Sequence, residues 1–283
     1  MTNEIKRRLR ELAVETQDAC GQPLWTISLA HVQELAAETG LTRREVEIQA
    51  LRERVLPRRY MRNLGTVGWE GQIALLQSTV GIVGAGGLGG WIIEGLSRIG
   101  VGHIIVIDSD RFEENNLNRQ LLCREQDLGR PKVDVARQRA AEVNGAVEVI
   151  THCTRVDEEQ MVQLLRGANV LVDALDTLPT RLALQRAARR LQVPMVHGAI
   201  AGYVGQVMTI WPEDAGLYGL YGGERVPEHG IETQWGNPPA TPMMVAAWQV
   251  QEVVKLLIGR GEPLRHRLLF MDGEVGAADI LHV

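Results

Sequence analysis

From Trp69 onward the chain alternates two hydrophobic rhythms. Short, continuous apolar runs near residues 79–83, 103–107, 147–151, 170–173 and 195–197 are rich in Val, Ile and Leu and too short for helices, so they read as buried strands. Stretches near 88–99, 132–143, 158–166 and 179–191 place apolar residues at helical spacing between them. This alternation predicts an α/β protein with a doubly wound, mostly parallel sheet. Residues 205–210 read as one more strand, a helix is expected near 243–258 and a strand at 268–271, together an antiparallel C-terminal extension. Residues 215–242 are rich in Gly, Pro, Trp and Tyr and have little periodicity; irregular segments of that length inside a domain tend to be functional or mobile. There is no internal repeat and no low-complexity tract.

Residues 1–58 read differently, as a helical appendage without any strand-like run, set apart from a main domain spanning 59–283. Ser28 is placed to cap a helix that Gly40 ends, and Thr42 with Glu45 forms a capping box for a second helix that stops before Pro57. The pair resembles a helix-turn-helix, and Arg43, Arg44, Arg52 and Arg54 would face DNA in that reading. Residues 1–60 hold ten Lys/Arg against nine Asp/Glu, however, so there is no strong basic field, and a packing or docking role is the expectation.

Composition narrows the class. The 283 residues are enough for one large domain or a domain with an appendage, and 45% hydrophobic content is ordinary for a globular protein. A net charge of -5 argues against nucleic acid as the principal partner. No apolar run approaches the roughly 20 residues that span a bilayer, and the first residues carry no secretory pattern, so a cytoplasmic protein is expected. Cys20, Cys123 and Cys153 are isolated, which suits a reduced compartment and inert, packed thiols.

The candidate chemistry starts at Gly84-Ala85-Gly86-Gly87-Leu88-Gly89, directly after the 79–83 run. Gly84 makes the tight turn, Gly86 lets backbone N–H groups approach phosphate oxygens, and Gly89 lets the following helix pack close to the strand, with Gly87 counted in the same nucleotide-binding turn. That helix points its positive end at the phosphates. Asp108, 19 residues beyond Gly89, ends the next strand, where a carboxylate can accept ribose hydroxyls, and Asp110 lies beside it. This unit predicts a nucleotide site without separating a dinucleotide from ATP. Next come a polar loop, Asn116-Leu117-Asn118-Arg119-Gln120, and Lys132, which opens a helix. A third strand ends in Asp173-Ala174-Leu175-Asp176. Asp176 is placed either to hold Mg²⁺ against phosphates or simply to cap the helix near Pro179.

Taken together, these segments, with Arg62-Asn63-Leu64, Glu70-Gly71-Gln72, His197-Gly198-Ala199 and Gly205-Gln206-Val207, resemble the ThiF/MoeB/HesA family of ubiquitin-activating-enzyme-like adenylyltransferases. The resemblance runs from about Tyr60 onward and implies a Rossmann-like fold. It implies that the C-terminal glycine carboxylate of a ubiquitin-like sulfur-carrier protein of the MoaD/ThiS kind attacks the α-phosphate of ATP, giving an acyl adenylate and pyrophosphate. By the family pattern Asp108 binds ribose, Asn116, Arg119 and Lys132 contact the phosphates, Asp176 carries Mg²⁺, and Arg62 is supplied by the partner of a homodimer. A separate sulfur donor, such as a cysteine desulfurase, would complete sulfur transfer for molybdenum- or tungsten-pterin cofactor or thiamine synthesis. Two departures stand out. Leu217-Tyr218-Gly219-Leu220-Tyr221-Gly222 occupies the place of the first zinc CxxC pair, so no structural zinc is expected, and the loop 234–242 lacks the thioester cysteine. Cys123 is the one cysteine near the Arg119 loop. The competing readings are adenylation of a small molecule or peptide on the same scaffold, an NAD-dependent oxidoreductase, and a DNA-binding nucleotide sensor.

Overall fold

The structure is a computed structural model that describes residues 2–18, 20–223, 226–228 and 230–283. Its elements are α1 (Thr2–Leu12), β1 (Val14–Gln17), β2 (Pro23–Ile27), α2 (Leu29–Thr39), α3 (Arg43–Arg52), β3 (Leu56–Pro57), α4 (Leu64–Gln77), β4 (Thr79–Val83), α5 (Gly87–Ile99), β5 (His103–Ile107), α6 (Lys132–Val143), β6 (Glu148–His152) and α7 (Glu158–Leu164). There follow β7 (Val170–Asp173), α8 (Leu178–Leu191), β8 (Met195–Ala201), β9 (Val204–Ile210), α9 (Leu217–Tyr221), α10 (Glu232–Trp235), α11 (Ala240–Ile258), β10 (Arg267–Asp272) and β11 (Ala277–His282).

Eight strands form the main sheet among the described residues, in the order β11-β10-β9-β8-β7-β4-β5-β6. The neighbours from β8 to β6 are parallel, and β8, β9, β10 and β11 pair antiparallel. The continuous apolar runs are explained by burial on both faces. Val80, Ile82, Ile104 and Val106 pack with α5, α6 and α11 residues such as Ile92, Ala136 and Val253. Val83, Ile105, Ile107 and Leu171 pack on the opposite side with Met161, Leu182 and Leu184 of the α7–α8 layer. None of the helices among the described residues is long and apolar enough to cross a membrane.

The expected antiparallel extension is present, but β11 was not read from the sequence. Every residue of β11 is exposed, so no face is selected for apolar side chains and its alternation carries no signal.

The N-terminal segment corrects the strand-free expectation for residues 1–58. Helices α2 and α3 have the anticipated caps: Ser28 accepts from the His31 amide, Gly40 is left-handed at φ 71, and Thr42 and Glu45 form the capping box. Between α1 and α2, however, β1 and β2 form an antiparallel hairpin, and β3 adds in parallel to β2. The turn is built by Asp18, whose Oδ1 accepts from the Cys20 and Gln22 amides, and by Gly21 at φ 78. With four- and five-residue strands, one beginning at Pro23, the period-2 pattern is too short to register against the helices around it.

This segment has its own small core, Ile5, Leu9, Ile27, Leu35 and Val46 among others, and leans on the main sheet layer through Leu51, Leu56, Tyr60 and Leu76. Two of the arginines that a DNA reading would use face inward. Arg44 donates to the Gly102 carbonyl at 2.8 Å, and the Arg43 guanidinium lies where a Cβ on Gly145 would come within 2.3 Å of it. At the centre of the contact Glu47, 1% exposed, accepts from the Tyr60 hydroxyl at 2.9 Å and pairs with Arg59 at 3.3 Å. Asn144, at the end of α6, donates to the same hydroxyl and to the Ser97 carbonyl of α5.

Burial pushes the Glu47 carboxyl up to about 7, against the pull of Arg59, the Tyr60 hydroxyl and Arg43. The unfolded chain releases this proton near 4.5, so it binds fewer protons than the native state between that pH and about 7. Stability therefore falls as pH rises through the window, by up to about 3 kcal/mol for this one group. Urea unfolding of wild type and Glu47→Gln at pH 5 and pH 8 checks this: wild type should lose stability relative to the variant at the higher pH.

Candidate active site

The parallel strands end on one side of the sheet, and their carboxyl ends surround a cleft of about 880 Å³. Its first wall is the turn between β4 and α5. Gly84 has φ 101, and a Cβ there would lie 2.3 Å from the Ala174 carbonyl oxygen. A Cβ on Gly89 would lie 2.0 Å from the oxygen of Gly84. These two positions therefore admit no side chain without moving backbone. At Gly86 a Cβ would meet the Gln120 side chain from 3.6 Å, and at Gly87 the Arg119 side chain and Pro242 from 3.8 Å, all ordinary contacts, so glycine there keeps the cleft floor clear instead of relieving a clash. Gly84, Gly86 and Gly87 line the cleft; Gly89 lies behind them in the helix–strand contact.

Asp108 follows β5 and is held by two amides: Oδ2 accepts from Ala85 at 2.6 Å and Oδ1 from Asp110 at 2.7 Å. Burial raises its carboxyl pKa, although Lys132 and both amides oppose the rise. The remaining lone pairs face the cleft that Asp108 lines. Lys132, 6% exposed at the start of α6, reaches Asp110 at 3.0 Å. Arg119 donates to the Asn115 carbonyl and to Asn118 Oδ1 at 3.0 and 2.8 Å, which aims its guanidinium along the rim. Gln120 is buried beside Gly86, and its Oε1 has no partner among the described residues.

Asp176 lines the same cleft and is exposed. It is not a helix cap, since Thr177 occupies the N-cap position of α8 and makes no side-chain cap bond. Thus Gly84, Gly86, Gly87, Asp108, Asp110, Arg119, Gln120, Lys132 and Asp176 converge. Asn116 does not line the cleft: its Oδ1 accepts from the Glu113 amide, and its backbone carbonyl takes the amides of Arg119 and Gln120. It shapes the loop that presents Arg119. Arg62 is also outside the cleft, exposed on the segment before α4 and without an ion pair among the described residues. Cys123 is buried, and burial raises its thiol pKa, the opposite of what a nucleophile needs.

Sequence reasoning passed over the support beneath Asp176. Asp173, fully buried, accepts from Arg181 Nη1 at 3.1 Å and pairs with His197 Nδ1 at 2.6 Å. Burial alone would raise its pKa, but Arg181 and His197 bring it below the usual carboxylate range. Burial lowers the His197 pKa in spite of Asp173. The consistent state is therefore an aspartate, a guanidinium and a neutral imidazole whose Nδ1–H donates to Asp173, leaving Nε2 to accept from Gln206 at 3.3 Å. The same pair grips the next residue but one: Asp173 Oδ1 accepts the Leu175 amide at 3.0 Å, and Arg181 donates to the Leu175 carbonyl. The available signal was an aspartate ending a buried strand with an arginine one turn into the next helix. Glu228, Ile231, Glu232 and Trp235 of the irregular 215–242 region also line the cleft, as do Ala199 and Phe270.

Residues 60–282 match the family model described as the ThiF family. The chain belongs to the ThiF family. It is 38% identical over 219 residues to the "SAMP-activating enzyme E1" of Haloferax volcanii, an alignment covering 76% of this chain and 80% of that one. It is 36% identical over 216 residues to the "Sulfur carrier protein adenylyltransferase" of Thermus thermophilus, covering 74% and 80%. Membership places the chain among adenylyltransferases. Its fold matches E. coli MccB, crystallised with ATP, at a TM-score of 0.65 and 21% identity, over 79% of this chain and 71% of that one.

Removing Arg181 would leave the Asp173 charge buried beside a neutral imidazole. Arg181→Met should therefore cost about 3–5 kcal/mol of stability, readable by urea unfolding, and a loss below 1 kcal/mol would refute the charge assignment.

Proposed function

We propose that this ThiF-family chain adenylates the C-terminal glycine carboxylate of a ubiquitin-like sulfur-carrier protein of the MoaD/ThiS type, using ATP. The observation that carries the reading is the convergence of the glycine turn, Asp108, Arg119, Lys132 and Asp176 on one cleft at the carboxyl ends of the parallel strands. The names of the relatives in Haloferax volcanii and Thermus thermophilus support the substrate class.

A carboxylate oxygen of the carrier attacks the α-phosphorus of ATP, and the bond from that phosphorus to the bridging oxygen breaks. The products are the acyl adenylate and pyrophosphate. No proton must be abstracted, because the nucleophile is already an anion. Catalysis then depends on placing two anions together and on stabilising charge that builds on the leaving pyrophosphate. The turn at Gly86 and Gly87 and the start of α5 offer backbone amides to the phosphates. Asp108 accepts from the ribose hydroxyls. Lys132 exchanges Asp110 for a phosphate oxygen, and Arg119 closes from the rim. Arg62 comes from the partner subunit of a homodimer, consistent with its exposure outside the cleft of its own chain.

Asp176 fits Mg²⁺ as a single carboxylate at the edge of the cleft. The described residues contain no cluster of three or more candidate ligand side chains, so phosphate oxygens and water would complete the shell, as is usual for this ion. Bound there, Mg²⁺ would neutralise phosphate charge. Ala199, Phe270 and Trp235, which also line the cleft, would receive the carrier's tail. Because loop 234–242 has no cysteine, the adenylate itself is the species handed on to a separate sulfur donor, such as a cysteine desulfurase, in pterin-cofactor or thiamine synthesis.

ATP–pyrophosphate exchange with a panel of Gly-Gly-ended carriers tests the reading. Exchange should require one carrier and fall at least about 100-fold in Asp176→Ala, on the scale of losing one electrostatic contact to the transition state. Exchange driven by a small carboxylic acid or peptide and by none of the carriers would replace the substrate class.

A further inference from the structure

Arg62 is an exposed guanidinium on an unusually well-fixed base. On its N-terminal side, β3 pairs with β2, Arg58 Nε donates to Thr26 Oγ1 at 3.2 Å, and the Tyr60 ring is fully buried. The ring sits so close to α5 that a Cβ on Gly100 would come within 2.7 Å of it. The Tyr60 hydroxyl is held from two sides, donating to Glu47 of α3 at 2.9 Å and accepting from Asn144 at 3.1 Å. Arg59 also pairs with Glu47 and donates to Asn144 Oδ1. On its C-terminal side, Asn63 donates to Gln72, whose own amide donates to the Ile99 carbonyl. The residues flanking Arg62 are thus tied down, while Arg62 itself makes no ion pair among the described residues.

Two of the ties, Glu47 and the β2–β3 pair with Thr26, come from the N-terminal segment that precedes the family match at residue 60. A buried carboxylate is costly even when it is paired with Arg59 and a buried tyrosine, so stability alone does not account for Glu47 and its fixed geometry offers another role. We propose that the N-terminal segment anchors Arg62: Glu47 fixes Tyr60, and Tyr60 fixes the short stretch that presents the Arg62 guanidinium to nucleotide phosphates bound by the partner subunit. Glu47 and Tyr60 are positioning residues and touch no substrate. The inference rests on the reading of Arg62 given under Proposed function.

A guanidinium held in place loses little freedom when it meets the phosphates, so loosening its base should lower kcat more than it raises the KM for ATP. The test uses the full chain at pH 8.5, where Glu47 is ionised, with Glu47→Ala, Tyr60→Phe, Arg62→Ala and each pairing with Arg62→Ala. Tyr60→Phe keeps the ring and removes only the hydroxyl, so it controls for damage to packing. Hydrogen–deuterium exchange should show faster amide exchange for residues 61–64 in Glu47→Ala and Tyr60→Phe, with melting temperatures well above the assay temperature. In pyrophosphate exchange each should lower kcat by about 5- to 20-fold, and neither should lower it further once Arg62 is alanine.

Unchanged exchange at 61–64 would overturn the inference without reference to activity. Losses that multiply with that of Arg62→Ala would also overturn it and leave the Arg62 reading standing. An Arg62→Ala enzyme as active as wild type would remove both.

Discussion

The site depends on backbone meeting backbone at Gly84 and Gly89. A methyl group at either position would lie 2.3 Å or less from a carbonyl oxygen, one belonging to Ala174 after β7 and the other to Gly84 itself. That close approach lets α5 start almost on top of β4, so its free amides open directly into the cleft. It also brings the end of β7 beside the end of β4, which sets the distance between the glycine turn and Asp176. Position, more than any individual charge, is what the fold supplies for a reaction between two anions.

Charge enters as the means of holding that position. Asp173, Arg181 and His197 form a buried set whose aspartate and arginine grip both the amide and the carbonyl of Leu175. Asp108 is held in the same manner by the amides of Ala85 and Asp110. In each case a carboxylate at a strand's end fixes the loop backbone that follows it; Asp108 also lines the cleft itself, whereas Asp173 lies beneath it and leaves Asp176 to face it. Burial would push both carboxyls toward neutrality, and only at Asp173, beside a guanidinium and an imidazole, is that tendency reversed.

Much of this was legible because it is local. The runs 79–83, 103–107 and 170–173 became β4, β5 and β7 with unchanged bounds, since burial on both faces leaves no choice of residue type. The glycine turn, Asp108, Lys132 and Asp176 were legible because strand ends and helix starts fix where side chains emerge. Contacts between distant segments were not. Nothing in the sequence near Glu47 announces that it meets Tyr60 and Arg59, or that Asn144 completes the group from the far end of α6. The hairpin of β1 and β2 stayed hidden for a related reason: β1 has no buried residue and takes its order from pairing, and the buried positions of β2, Leu24, Thr26 and Ile27, are too few to set a period. At Asn116 the sequence shows a polar side chain in the right loop but not that its oxygen accepts from the Glu113 amide within its own turn.

The outermost strand has a consequence for handling the protein. β11 is exposed along its whole length and lies at the open edge of the sheet, with Ile280 and Leu281 facing solvent. Its partner β10 is another matter, since Leu268, Leu269 and Met271 are buried there. β11 therefore acts as a sacrificial margin. Proteolytic loss of residues 277–282 would remove no residue that lines the cleft but would bare the backbone of an apolar strand, converting a tolerable edge into one that recruits other chains.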